Sequence, residues 1–389
     1  MDYNFDEVIN REGTNSFKYD LRNKIFGTDD VYPMWVADTE FKAPDFILEA
    51  IKKRVDHGIL GYTITDDDYY NSIINWLEKR HNWKIQKPWI KTSPGVVPSL
   101  FASVLAYTEP GDKVVIQTPV YHPFYFAIQE TGREIVKNPL VLKDGRYVMD
   151  LEDLKSKIDE RTKMIFLCSP HNPTGNVWRK EELEALCSIC LSNDILIISD
   201  EIHADIVYKP NQHISTASLS DEIANRTITL MAPSKTFNIA GLNSSYIVSK
   251  NEKLLKQLSF YFEGLHIGPN VFALEATKAA YKQGAEWLDQ LISYFEGNIN
   301  IVRRFIGEKL DKIDLISPEG TYLLWLDFRK YNLKRKELND LLIQGAKLGL
   351  NDGAIFGEEG NGFQRMNIGC PSRFLETALN SLYDVFKKM

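Results

Sequence analysis

A chain of 389 residues, 44% hydrophobic and 25% charged, holds enough apolar material for a large core and for more than one lobe. Its net charge of -7 argues against nucleic-acid binding, which wants a basic surface, and no apolar run approaches the roughly 18 residues of a membrane span. The opening MDYNFDEVINREG lacks a basic stretch followed by an apolar one, so a cytoplasmic enzyme is expected.

In chain order, PSLFASVLAYT (98–108) has helical spacing and is followed by a strand-like run, DKVVIQTP (112–119). A second helical pattern (121–132) precedes TKMIFLCSP (162–170), and a third, KEELEALCSICLSN (180–193), precedes DILIISDE (194–201). Two more apolar runs close the series, RTITLMAPS (226–234) and NSSYIVSK (243–250). Short, near-continuous apolar strands alternating with helices predict an α/β fold whose mostly parallel sheet is covered on both faces. Beyond it lie a long amphipathic stretch (284–310), a strand at 320–329, a helix near 334–349, a strand at 363–369 and a last helix at 372–387. These predict a smaller α+β domain of residues 1–45 and 284–389 beside a large domain of residues 46–283. Of four cysteines, Cys187 and Cys190 have the CxxC spacing of a metal or redox motif. They recur with Leu183, Leu186 and Leu191 at helical spacing, and no second pair or histidine cluster accompanies them, so they read as buried hydrophobes.

In open α/β sheets ligands gather at the carboxyl ends of the strands. Three polar groups follow the apolar runs there: SPHNPTG (169–175), DEIH (200–203) and SKT (234–236). Asn172, Asp200 and Lys235 together suit pyridoxal phosphate, which needs an amine to hold its aldehyde carbon, an anion beside its ring nitrogen and a donor near its phenolic oxygen. A carboxylate about 4 Å from a protonated pyridine contributes roughly 4 kcal/mol at an effective dielectric near 20. Singly, each residue has a plainer use: Asn172 as a turn residue, Asp200 as a helix cap, Lys235 as a solvated loop lysine. Their joint occurrence at successive strand ends favours the cofactor.

The blocks SPHNPTGNVW, ISDEIHADIVY and SKTFNIAGL resemble the signatures of the fold-type I, class I/II aminotransferase superfamily over nearly the whole chain. YPMWVADTEF and RMNIGCPSR resemble its branch of cystathionine β-lyases and C–S β-lyases. The resemblance implies the type I fold of pyridoxal-phosphate-dependent transferases. It implies that Tyr121 stacks on the cofactor ring, and that Val96 and Val97 begin a helix whose amides hold the phosphate. It further implies that Tyr62 reaches the phosphate of a neighbouring subunit, making the active unit a homodimer, and that Arg365 grips the substrate α-carboxylate. His203 stands where transaminases often carry Tyr, and is expected either to donate toward the phenolic oxygen or to be a helix-face histidine satisfied elsewhere. Asp38 is a further candidate for substrate contact, with helix capping as its plainer use.

Two positions depart from the transaminase pattern. Ala232 stands where a small residue, often Ser, lies three before the lysine, and Asn243 stands where an arginine usually lies eight after it. With His203, these point to a C–S β-lyase that cleaves cystathionine or another cysteine S-conjugate. An aminotransferase using the same residues is the alternative. A non-catalytic regulatory protein is a third reading, which the intact Asn172, Asp200, Lys235 and Arg365 set argues against.

Overall fold

The computed structural model describes residues 2–389. Its central sheet has seven strands: β1 (Ile90–Ser93), β2 (Lys113–Ile116), β3 (Glu134–Lys137), β4 (Thr162–Cys168), β5 (Leu196–Asp200), β6 (Thr227–Met231) and β7 (Ser245–Val248). They lie in the order β1-β7-β6-β5-β4-β2-β3. All neighbours are parallel except β7, which runs antiparallel to both β6 and β1.

The period-two geometry of a strand explains the unbroken apolar runs. In β4, Met164 and Phe166 enter one core with Val114, Ile198 and Leu230, while Ile165 and Leu167 enter another with Val115, Ile197 and Leu186. Each of these side chains is essentially fully buried, contributing about 1.5–3 kcal/mol. The helix Lys180–Ser192 covers the second face, and Cys187 and Cys190 are buried free thiols within it. Burial pushes the Cys187 thiol up to about 12, with Glu184 adding to it. Among the described residues, no cluster of His, Cys, Asp and Glu could hold a metal ion.

Two sheet strands, β1 and β3, are not predicted by the apolar pattern; they are the sheet's edges, and their solvent-facing lysines and glutamate interrupt the apolar signal. The C-terminal part forms a second, antiparallel sheet of Asp314–Leu315, Leu323–Asp327, Asn351–Asp352 and Phe363–Asn367. The helix expected near 334–349 is shorter, running Arg335–Asp340 into a π-helical turn at Leu341–Gly345, after which Leu348–Gly349 pairs with Tyr32–Pro33 near the chain's start. Helices Ala285–Lys309 and Ser372–Phe386 pack on one another and share a core with the N-terminal Phe5, Met34 and Phe41. The two sheets meet where Gly175 O accepts from both Glu319 N (3.0 Å) and Gly320 N (2.9 Å). A Cβ on Gly320 would stand 2.8 Å from Ile206 O, so this approach demands glycine. It brings the second sheet against the Asn172 loop.

Candidate active site

The carboxyl ends of β4, β5 and β6 open on a cavity of about 350 Å³ lined by Asn172, Asp200, His203, Lys235, Tyr121 and the segment Gly95–Val97, among others. Asp200 ends β5 beside Cys168, its register partner on β4. Burial pushes its carboxyl up to about 7, against the pull of the Ile202 N–H (3.2 Å) and of Lys235. Lys235 follows β6 in a tight turn, where Phe237 N bonds Pro233 O at 2.9 Å. Burial brings its ammonium down to about 8; Asp38 and Asp200 oppose that shift and Arg365 adds to it. The Lys235 Nζ donates to Ala37 O at 2.8 Å, and the buried Tyr322 hydroxyl donates to the same carbonyl at 2.9 Å.

Asn172 is oriented by Arg365, whose Nη1 donates to its Oδ1 at 2.8 Å, so the amide Nδ2 remains available as a donor. Tyr121 N in turn bonds Asn172 O at 3.0 Å. Arg365, central in its strand, also donates from Nη2 to Trp35 O (2.7 Å) and Asn351 Oδ1 (2.5 Å), and its guanidinium lies 4.8 Å over the Phe356 ring. Among the described residues no carboxylate pairs with it, and its Nε has no partner. Burial alone lowers it to about 10. A buried guanidinium without an anion is a costly group whose cost falls when an anion arrives.

Val96 begins the helix Val96–Tyr107 behind Gly95, and both Val96 and Val97 line the cavity. First-turn amides have no intrahelical acceptor, so this end of the cavity presents N–H donors of the kind that suit an anion. His203 is buried with Nδ1 unpartnered, and burial together with the Lys235 and Arg365 charges holds it down to about 3, so its ring is neutral. Asn243 lines the cavity in a left-handed conformation (φ 50°). Amine, carboxylate, amide donor and helix amides therefore converge on one space, and unpartnered atoms of His203 and Arg365 lie at or beside it. That donor set fits pyridoxal phosphate.

Two expected residues stand elsewhere. The Asp38 carboxylate is taken up by Arg11 (Nη2–Oδ2 2.7 Å) and Lys18 (3.4 Å) and does not line the cavity. Burial raises it, but Arg11 and Lys18 outweigh that and hold it below the usual carboxylate range. It is not a helix cap either, since Pro44 precedes the helix Asp45–Asp56. Tyr62 is fully exposed with Ile59, Leu60 and Ile64 in a segment outside regular structure, and takes no part in the cavity of its own chain.

Sequence reasoning missed Tyr322, Ala37, Asn351 and Asn238. Asn238 grips the N-terminal segment, accepting from Thr39 N and donating to Thr39 O and Phe41 O. Tyr322 sits in an apolar run that reads as core, and the Ala37 contact is made by a main-chain carbonyl, which has no sequence signature.

Residues 36–382 match the model of the class I and II aminotransferase family, and the chain belongs to that family. It is 43% identical to cystathionine beta-lyase PatB of Bacillus subtilis (strain 168) over 97% of this chain and 98% of that protein. It is 32% identical to protein MalY of Escherichia coli (strain K12), with 99% of each chain covered. Among solved structures it resembles cystalysin of Treponema denticola, which contains a pyridoxal 5'-phosphate cofactor, with a TM-score of 0.97 and 37% identity over the whole of both chains. The type I fold implied by the motifs is therefore the fold of this chain.

Proposed function

We propose that this chain is a pyridoxal-phosphate-dependent C–S β-lyase acting on cystathionine or other cysteine S-conjugates. The net reaction is an α,β-elimination with water consumed, giving a thiol, pyruvate and ammonia. The observation that carries it is the convergence of Lys235, Asp200 and Asn172 at three neighbouring strand ends, facing the Val96–Val97 amides across one cavity. Full-length similarity to a cystathionine beta-lyase supports the choice of branch.

When bound, the cofactor supplies a conjugated ring that takes up the electrons of the Cα–H bond. Lys235 is the residue to hold it covalently and, once released, to take the Cα proton; an amine lowered to about 8 is neutral often enough for both tasks. Asp200 would keep the proton on the ring nitrogen, Asn172 Nδ2 would donate to the phenolic oxygen, and Tyr121 would cover a ring face. The neutral His203 offers a second donor or acceptor beside Asn172. The Val96 and Val97 amides take the phosphate, with no arginine at Asn243 to share it. Arg365 binds the substrate carboxylate, which supplies the anion this guanidinium lacks.

The large domain of residues 46–283 and the small domain of 1–45 and 284–389 frame this site in our reading. The exposed apolar segment around Tyr62 supports a homodimer in which that tyrosine completes the partner's phosphate site. Four unpaired buried cysteines support a reducing, cytoplasmic setting. No described helix is long and apolar enough to cross a membrane.

The test is cystathionine supplied without any 2-oxo acid. Catalytic release of pyruvate and free thiol is expected. A requirement for added oxo acid would establish the aminotransferase instead.

A further inference from the structure

Behind the cavity, one buried carboxylate joins three elements. Asp205 lies on the loop that follows Asp200, where Ala204 N bonds Glu201 O at 2.9 Å and Ile206 N bonds His203 O at 3.0 Å. Its Oδ2 accepts from the Thr236 hydroxyl at 2.7 Å, and Thr236 is the residue after Lys235. Its Oδ1 accepts from His81 Nε2 at 2.8 Å and from Trp76 Nε1 at 2.9 Å, both from the helix Asp67–His81. His81, Asp205 and Thr236 are all buried. The phenols of Tyr246 and Tyr281, bonded to each other at 3.0 Å, stand close enough to feel the Asp205 charge.

The alternatives for such a group are few. Asp205 lies outside the cavity lining and its carboxylate oxygens are taken up by Thr236, His81 and Trp76, so it does not meet substrate or cofactor. As a source of stability alone it is a poor choice, because taking a carboxylate out of water costs several kcal/mol that its hydrogen bonds largely serve to offset. What it does supply is a fixed, charge-assisted link between the loop carrying Asp200 and the turn carrying Lys235. A second buried couple lies alongside: Glu201, next to Asp200, accepts from His213 Nε2 at 2.9 Å, and the His213 and His81 rings meet edge to face at 5.4 Å.

We propose that Asp205, clamped by His81 and Trp76, is a positioning residue for Lys235, fixing through Thr236 where the lysine amine stands relative to Asp200. The inference rests on the reading of Lys235 as the residue that holds the cofactor. A misplacement of a reacting amine by a fraction of an ångström slows attachment without weakening the grip on the phosphate, which is made by other residues.

The experiment mixes cofactor-free protein with pyridoxal phosphate and follows growth of the visible band of lysine-held cofactor at increasing cofactor concentration. Asp205→Asn and Thr236→Val are expected to lower the saturating rate roughly tenfold to a hundredfold, with the half-saturating concentration nearly unchanged. Thr236→Ser, which keeps the hydroxyl, is expected to recover most of the rate. In turnover the same two variants should lose kcat while KM holds. Val302→Ala, a buried truncation in the helix Ala285–Lys309, serves as the control for general loss of stability. Unaltered rates in Asp205→Asn and Thr236→Val, or an equal slowing in Val302→Ala at equal loss of Tm, would overturn the proposal. Absence of any band in the wild type would instead overturn the cofactor reading beneath it.

Discussion

Replacing Arg365 by methionine separates stability from function in a way the structure makes quantitative. Burial lowers this guanidinium from 12.5 to about 10, which corresponds to roughly 3 kcal/mol of unfavourable charge burial. Methionine removes that cost, but it leaves Asn172 Oδ1, Asn351 Oδ1 and Trp35 O without their donor. At about 1 kcal/mol for each orphaned acceptor, the loss nearly cancels the gain. Thermal unfolding of Arg365→Met should therefore change by less than about 2 kcal/mol. Activity should not be spared. Loss of a paired, charge-assisted grip on the substrate carboxylate costs roughly 3 kcal/mol, or about a hundredfold in kcat/KM. Glycine, which has the carboxylate but no leaving group, should raise the Tm of the wild-type holoenzyme and leave that of Arg365→Met unmoved. A variant that kept its kcat/KM for cystathionine, or that glycine stabilised as much as wild type, would refute the assignment of Arg365 to the carboxylate.

Lys235→Ala should abolish both turnover and the visible band of lysine-held cofactor; full activity in that variant removes Lys235 from the mechanism. With native Lys235, the rate of cofactor attachment should half-rise near pH 8 rather than 10.5, as measured by the growth of that band. Because the folded value lies below the unfolded one, the unfolded chain binds more protons between those limits, so cofactor-free stability attributable to this lysine rises with pH across that window. Asp200 has the opposite sign: its folded value, about 7, lies above 3.8, so its contribution is full below 3.8 and lost as pH rises through 7. Chemical denaturation of cofactor-free Asp200→Asn should show that slope removed. Finally, inactive Tyr62→Ala and Lys235→Ala proteins, unfolded and refolded together in equal amounts, should recover about a quarter of wild-type activity if sites are shared across a two-fold dimer. No recovery would place Tyr62 outside the partner's site.

The central strands were legible because burial on both faces leaves a short, unbroken apolar run between turn residues, as in IFLC of β4 and LIIS of β5. The residues at their ends were legible for a related reason: a polar group just past a buried strand is held at a fixed place, so the sequence alone sets Asn172, Asp200 and Lys235 together, as they stand in the cavity. The ion pairs of Asp38 were not legible, because its partners, Arg11 and Lys18, are chosen by how the N-terminal segment folds back, and charges of either sign are plentiful along that segment. The Asp205–His81 contact spans 124 positions and its members sit in unrelated elements, so no local pattern announces it. Tyr62 is fully exposed in its own chain, so the use of its hydroxyl is legible from the family resemblance and not from local pattern.

The carbonyl of Ala37, on which both Lys235 and Tyr322 depend, is itself secured from the far end of the chain. Asn367 Nδ2 donates to Val36 O at 2.5 Å and to Asp38 O at 2.6 Å, bracketing Ala37 from a residue more than 300 positions later. During synthesis the first forty residues leave the ribosome early, and two of their anchors, Asn238 and Asn367, follow 199 and 331 positions after the residues they hold. A chain cut short before the strand Phe363–Asn367 retains Lys235, Ala37 and Asn238 but lacks both Asn367 and the guanidinium of Arg365. The bracket on Ala37 and the buried guanidinium beside Asn172 are therefore supplied together, by residues of one strand.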